Sequence, residues 1–201
     1  ACERTLLIAS PNPSKGGEHE TAQSPQEVGE TVSPPPLEGQ GEVVSDSSIY
    51  NKEEAEYAIA ALHLYIEKIG KHRVQNERID FGVISPYKAQ VHLLRQLVKK
   101  DSFLRPYRRS ITINTVDAFQ GQERDVIVLS TVRANESGKI GFLSDLRRMN
   151  VAITRARMKL IILGDTSTLS KTPFYRKLIE HVTEHGRMLV IPGMNQNPPP
   201  T

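Results

Sequence analysis

Two short blocks carry side chains whose types and spacing could do chemistry. In Thr115-Val116-Asp117-Ala118-Phe119-Gln120-Gly121-Gln122-Glu123 a carboxylate stands two residues past a glycine, and in Asn150-Val151-Ala152-Ile153-Thr154-Arg155-Ala156-Arg157, with Arg147 and Arg148 just ahead, arginines crowd a short stretch of helical character. A carboxylate suits a ribose hydroxyl and a guanidinium suits a phosphate, so the pair of blocks makes sense around a nucleoside triphosphate. Arg148, Ala152 and Arg155 are spaced i, i+4, i+7, which on a helix predicts two guanidinium groups on one face with a small residue between them. Arg157 falls on nearly the opposite side. Leu146, Met149 and Ile153 make an apolar stripe that would hold such a helix on a core. Taken alone, the same arginines also fit a solvated basic face.

The elements that must position these blocks alternate between helix and strand from Ile49 onward. Asn51 with Glu54 predicts an N-cap and capping box, and Ala55, Ile59, Leu62, Ile66 and Ile69 run along one face until Gly70 stops the helix. Phe81 to Ser85 reads as a short buried strand, followed by Ser85-Pro86 as cap and first-turn proline for a helix bearing Val91, Leu94 and Val98. Ile111 to Val116, Val126 to Val132 and Met158 to Gly164 read as strands. Thr172-Pro173 opens a last helix to His185, and a strand follows at Met188 to Ile191. Strands regularly separated by helices predict an α/β fold with a mainly parallel sheet, right-handed crossovers and helices on both faces.

Ligands of such sheets gather at the carboxyl ends of the strands, where Thr115 falls. Gly121 would permit positive φ or a close backbone approach. Residues 101–160 hold eleven Lys and Arg against six Asp and Glu, whereas residues 1–50 hold two against eight. The whole-chain charge of +3 therefore hides a basic domain behind an acidic segment. Basic residues can neutralise backbone phosphates without reading bases. Tyr87 has two readings, a base-stacking surface or a half-buried ring packing the start of a helix.

Residues 49–187 resemble the second RecA-like domain of superfamily 1 helicases, in the up-frameshift and senataxin branch. Val83-Ile84-Ser85-Pro86-Tyr87-Lys88-Ala89-Gln90 is similar to motif IV, Thr115 to Glu123 to motif V, Gly141-Phe142-Leu143-Ser144-Asp145 to the lead-in to motif VI, and Arg147 to Arg157 to motif VI itself. The resemblance implies a RecA-like P-loop NTPase fold. It implies that Gly121 and Glu123 lie at the nucleotide, with Glu123 at the ribose of ATP, and that Arg155 reaches the γ-phosphate as the catalytic arginine. Arg148 either joins it there or pairs with Asp145. Ser85, Pro86, Tyr87, Thr115 and Arg133 would touch single-stranded DNA or RNA. The branch moves 5′ to 3′, with ATP and Mg²⁺ as cofactors.

The 201 residues contain no G-x-x-x-x-G-K-S/T phosphate loop and no paired-acid Mg²⁺ motif after an apolar strand. The family's Gln-Tyr-Arg-Met-type block is missing as well. The expected partner is thus the N-terminal RecA-like domain of the same parent protein, which would hold most of the metal, and the fragment alone is expected not to hydrolyse ATP. The single cysteine, Cys2, allows no internal disulfide or cysteine metal cluster, and the scattered histidines predict no metal site. With no membrane-spanning run and no export signal, the expected setting is intracellular, cytoplasmic or, in a eukaryote, nuclear. Residues 1–48 are rich in Pro, Ser, Gly and Glu and are expected to be disordered, as are residues 193–201, which flank one domain at residues 49–192.

Two functional classes fit these features. One is the C-terminal motor half of an ATP-dependent helicase or translocase; the other is a noncatalytic nucleic-acid-binding or partner-docking remnant of one. Glu123 and Arg155 together favour the motor, because a pure binding module has no need of a nucleotide-facing pair.

Overall fold

In a computed structural model, which describes residues 3–10, 49–135 and 137–192, the helix predicted after Asn51 is α1, Lys52–Ile69. Asn51 Oδ1 accepts the Glu54 N–H at 3.0 Å, and Gly70 ends the helix at φ +91°. The capping box is only half made. Glu54 does not reach back to Asn51; the Asn51 N–H donates instead to Gln90 Oε1 at 2.9 Å, which frees the Glu54 carboxyl for a different task. A short helix α2, Lys71–Asn76, follows, then strand β2, Phe81–Ser85. The next helix, α3, is Lys88–Lys100. Its N-cap is Tyr87 rather than Ser85, because Ser85 belongs to the strand and its Oγ accepts the Tyr87 N–H at 3.4 Å.

The remaining elements are β3 (Ile111–Thr115), β4 (Arg124–Ser130), α4 (Leu146–Ile153), β5 (Ala156–Gly164), α5 (Thr166–Leu169), α6 (Pro173–His185) and β6 (Arg187–Pro192). Residues 3–10 depart from expectation. They were counted within the disordered segment, yet Glu3–Ser10 forms β1, paired in parallel with β5 on one side and β6 on the other. Composition averaged over 48 residues masks the local run Thr5-Leu6-Leu7-Ile8-Ala9, whose apolar character suits a strand buried within a sheet. Residues 11–48 and 193–201, and the expectations made for them, lie outside the described residues.

Among the described residues the sheet has six parallel strands in the order β3-β2-β4-β5-β1-β6. Successive side chains on the central strands feed opposite cores, as the period of two requires. Val126, Val128, Ile161 and Leu163 pack with α1, α2 and α3, while Ile127, Leu129, Leu160 and Ile162 pack with α4, α5 and α6. This is the expected RecA-like α/β arrangement, with helices on both faces. Register then defines two edges. Ser85 lies beside Thr115 at the carboxyl edge, whereas Arg124 lies beside Ala156 at the amino edge.

Candidate functional site

At the carboxyl edge, Ser85 is fully buried, Pro86 and Thr115 are half-buried, and the backbone beyond β4 turns through Thr131 and Val132 to Arg133. Val132 is buried with φ +70°, a conformation that a β-branched residue avoids. It is held there by Glu54. The Val132 N–H donates to Glu54 Oε1 at 2.8 Å, and the Ser130 hydroxyl donates to the same oxygen at 2.6 Å. Gln90 Nε2 then donates to Ser130 Oγ and to the Asn51 carbonyl, each at 3.0 Å. Glu54 is 3% exposed. Burial pushes its carboxyl up from the ordinary 4.5 to about 7, against the opposing pull of the hydrogen bonds from Ser130, Val132 and Thr131; the charge of Asp165 adds to the rise.

This turn delivers Arg133 onto Tyr87. Arg133 Nε donates to Tyr87 Oη at 2.9 Å, and its guanidinium carbon lies 5.6 Å from the centre of the Tyr87 ring. Tyr87 is only 4% exposed, so the packed-ring reading describes it and its faces are not open. Phe142 meets Tyr87 edge-on, with ring centres 5.6 Å apart.

The nucleotide candidates lie elsewhere. Gly121 has φ +77°, and an added Cβ would meet nothing within 4 Å, so the glycine is required by its backbone and leaves space beside it. Glu123 is exposed one residue before β4, and the following N–H, that of Arg124, donates to the Arg155 carbonyl at 3.0 Å. The backbones carrying Glu123 and Arg155 are therefore close, but at the amino edge rather than at the carboxyl ends expected for ligands. The reason is topological. Parallel strands β3 and β4 require the chain after Thr115 to return across the sheet before β4 can begin.

The predicted arginine face does not form. Helix α4 ends at Ile153, because the Thr154 hydroxyl bonds the carbonyls of Asn150 (2.8 Å) and Val151 (3.1 Å) and the next residues enter β5. Arg155 thus lies past the helix, half-buried, with Nε donating to the Val151 carbonyl at 3.0 Å and Nη2 to Thr154 Oγ1 at 3.2 Å. Arg148 stays on the helix and meets Asp117 Oδ1 at 3.1 Å and Asp145 Oδ2 at 3.5 Å, so the Asp145 pairing is present and a second acid joins it. Of the expected apolar stripe Met149 and Ile153 pack on the core, joined by Ala152 and Val151, whereas Leu146 is 40% exposed. Arg157 is bound to Asp125 at 3.0 Å and to Asp80 at 3.3 Å.

Spacing alone gives Glu54 a capping role and gives Gln90 and Phe142 no site role of their own. Glu54 was assigned to a capping box because its spacing from Asn51 fits one, and no local signal shows that it bonds across 78 positions to Val132. Among the described residues no group of His, Cys, Asp and Glu could hold a metal ion, and no helix is long and apolar enough to cross a membrane.

A family model described as an AAA domain matches residues 14–167. The chain is similar to "Probable helicase MAGATAMA 3" of Arabidopsis thaliana, at 37% identity over 141 residues, covering 70% of this chain and 17% of that protein. It is similar to "Helicase sen1" of Schizosaccharomyces pombe, at 37% over 166 residues, covering 77% of this chain and 10% of that protein. It is also similar to the "Regulator of nonsense transcripts 1 homolog" of Arabidopsis thaliana, at 45% over 105 residues, covering 52% of this chain and 8% of that protein. The chain spans under a fifth of the length of each of these relatives. With the family model covering more than half of its residues and helicases of this type among its relatives, the chain belongs to the superfamily 1 helicases, in the up-frameshift and senataxin branch.

Proposed function

We propose that this chain is the C-terminal RecA-like half of an ATP-dependent, 5′ to 3′ helicase or translocase acting inside the cell on single-stranded DNA or RNA. The observation that carries the proposal is the bond between the Arg124 N–H and the Arg155 carbonyl. It brings the backbones carrying Glu123 and Arg155 together at the edge opposite Thr115 and Arg133, so that one domain offers a nucleotide surface and a strand surface at once. Glu123 accepts from the ribose and Gly121 lets the backbone approach. Arg155 supplies charge to the transferring phosphoryl group, since a guanidinium has five N–H donors and its bonds to Val151 and Thr154 do not exhaust them. Arg148, held by Asp117 and Asp145, stands by the Thr115 segment as a second nucleotide candidate.

ATP would be the source of the phosphoryl group, and Mg²⁺, held mainly by the N-terminal RecA-like domain of the parent protein, would supply charge neutralisation there. The phosphate loop comes from that domain too, since the present 201 residues have none. The test is phosphate release stimulated by single-stranded nucleic acid. The expected result is no release above a buffer blank from this chain alone, release when the first domain is covalently present, and a raised KM for ATP on Glu123→Ala. Steady release from this chain alone, abolished by Arg155→Ala, would contradict the division of labour.

A further inference from the structure

We propose that the open face of Phe142 is a nucleobase-stacking site at the carboxyl edge of the sheet, built on Tyr87, Arg133 and Gly141. The proposal rests on the nucleic-acid-binding role given above and adds to it the group that meets a base.

Phe142 is 56% exposed, yet the residues on either side of it are fixed. Leu143 is fully buried and its carbonyl accepts the Tyr175 hydroxyl at 2.6 Å. Gly141 has φ +53°, and a Cβ there would lie 2.5 Å from Arg133 Nη2 and 3.0 Å from Tyr87 Oη. A side chain at Gly141 would be strained by the positive φ and would have to displace the Arg133 guanidinium. Phe142 then rests edge-on against Tyr87, its ring backed by an aromatic that a guanidinium covers in turn. Behind Arg133 stands the strained Val132, which persists because the buried Glu54 fixes its N–H. The ring is thus held in one place at the surface by buried structure, with one face left open.

The surroundings select the user. Lys139 and Arg147, three positions before and five after Phe142, are exposed, the intervening Asp145 is paired with Arg148, and Arg133 is half-buried beneath the turn, while Leu146 is the other large apolar side chain exposed on this part of the described chain. A protein partner would meet a broad apolar patch. A flat ring with Arg133 beneath it and Lys139 and Arg147 flanking it in the chain matches a base with its phosphates on either side, and stacking accepts every base because each has a π-face, as a translocating strand demands. Tyr87, the aromatic that motif spacing singles out, is the support of this site and not its surface.

The experiment measures binding of the 201-residue chain to short single-stranded oligonucleotides, DNA and RNA, intact or with one abasic position scanned along the strand. Intact oligonucleotides are expected to lose about 5- to 150-fold in affinity on Phe142→Ala. One abasic position should cost the unaltered chain a similar factor and cost Phe142→Ala almost nothing, while Phe142→Tyr binds as the unaltered chain does. An equal loss at every abasic position in both proteins, or full affinity in Phe142→Ala, would overturn the site. So would unchanged oligonucleotide binding combined with weakened association to the first RecA-like domain, which would make Phe142 a docking residue. If the nucleic-acid role itself is wrong, the unaltered chain will bind no oligonucleotide. Failure of the stacking site alone leaves that binding intact and still reduced by Arg133→Ala.

Discussion

At the amino edge of the sheet Arg157, Arg124, Asp80 and Asp125 meet half in water, whereas at the carboxyl edge Glu54, Ser130, Gln90 and Asn51 meet largely out of it. The first group is a lattice of partly exposed ion pairs, reinforced by Asp80 accepting the Asp125 N–H at 2.7 Å and Asp125 accepting the Asp80 N–H at 3.1 Å. The second is a buried polar chain that fixes a strained turn. Seven-residue β4 keeps the two edges about 20 Å apart. Water screens the first set of charges and strengthens by its absence the second set of bonds. The amino edge can therefore tolerate loss of one partner, and the carboxyl edge cannot. That contrast suits the proposed roles, since a nucleotide surface must bind and release within each cycle while a strand surface keeps its shape.

The largest expected effect separates the two edges by function. In the parent protein, Arg155→Ala removes the group proposed to act when charge shifts during phosphoryl transfer. Turnover should fall by about 10²–10⁵, with single-strand affinity nearly unchanged. Thr115→Ala, at the opposite edge, should weaken strand binding by the worth of one hydrogen bond, about 0.5–3 kcal/mol, and leave basal hydrolysis nearly intact. Phosphate release and strand binding measured on both variants, at matched thermal stability, give the comparison. Parallel losses in both activities would break it, and turnover within a few-fold of the parent in Arg155→Ala would shift the assignment to Arg148.

The next effect is on stability and belongs to the carboxyl edge. Glu54→Ala leaves the Val132 N–H and the Ser130 hydroxyl buried without an acceptor and should cost about 2–4 kcal/mol in urea unfolding. Glu54→Gln keeps the Oε1 acceptor and should cost much less. The variants also read the titration. The Glu54 pKa is raised on folding to about 7, so its contribution to stability is complete below about 4.5 and is lost as pH rises toward 7. Unfolding midpoints of the unaltered chain should decline across that window relative to Glu54→Gln. A constant difference between the two would mean that Glu54 stays ionised throughout.

The sequence shows the fold clearly where periodicity and caps agree, and less clearly where a residue's role depends on distant chain. The Val126 and Met158 runs, the Asn51 cap and the Gly70 stop are local signals and match the structure. Helix spacing misplaced Arg155 because Thr154 can end a helix by bonding its own carbonyls, an outcome that an i, i+7 count does not see. The eight residues of β1 are hidden by the polar stretch that follows them. The separation of Glu123 from Thr115 is invisible in a motif only nine residues long, and it appears once β3 and β4 are known to be parallel neighbours of β2.

The smallest expected effect sharpens the comparison most closely, because it concerns two arginines separated by one alanine. Arg157 is half exposed and shared between Asp80 and Asp125, so Arg157→Ala should change stability by about 1 kcal/mol or less, and by less again in high salt. The Asp80–Asp125 backbone exchange survives the substitution and keeps β4 and the chain ahead of β2 in register. Nucleic-acid-stimulated turnover in the parent protein should stay within a few-fold. Among the described residues Arg155 forms no such carboxylate pair; its bonds go to the end of α4, and its proposed role is in the reaction. If Arg157→Ala lowered turnover as far as Arg155→Ala at equal stability, the amino edge would act as one electrostatic unit on the nucleotide. The assignment of Arg157 to structure and Arg155 to chemistry would then have to be given up.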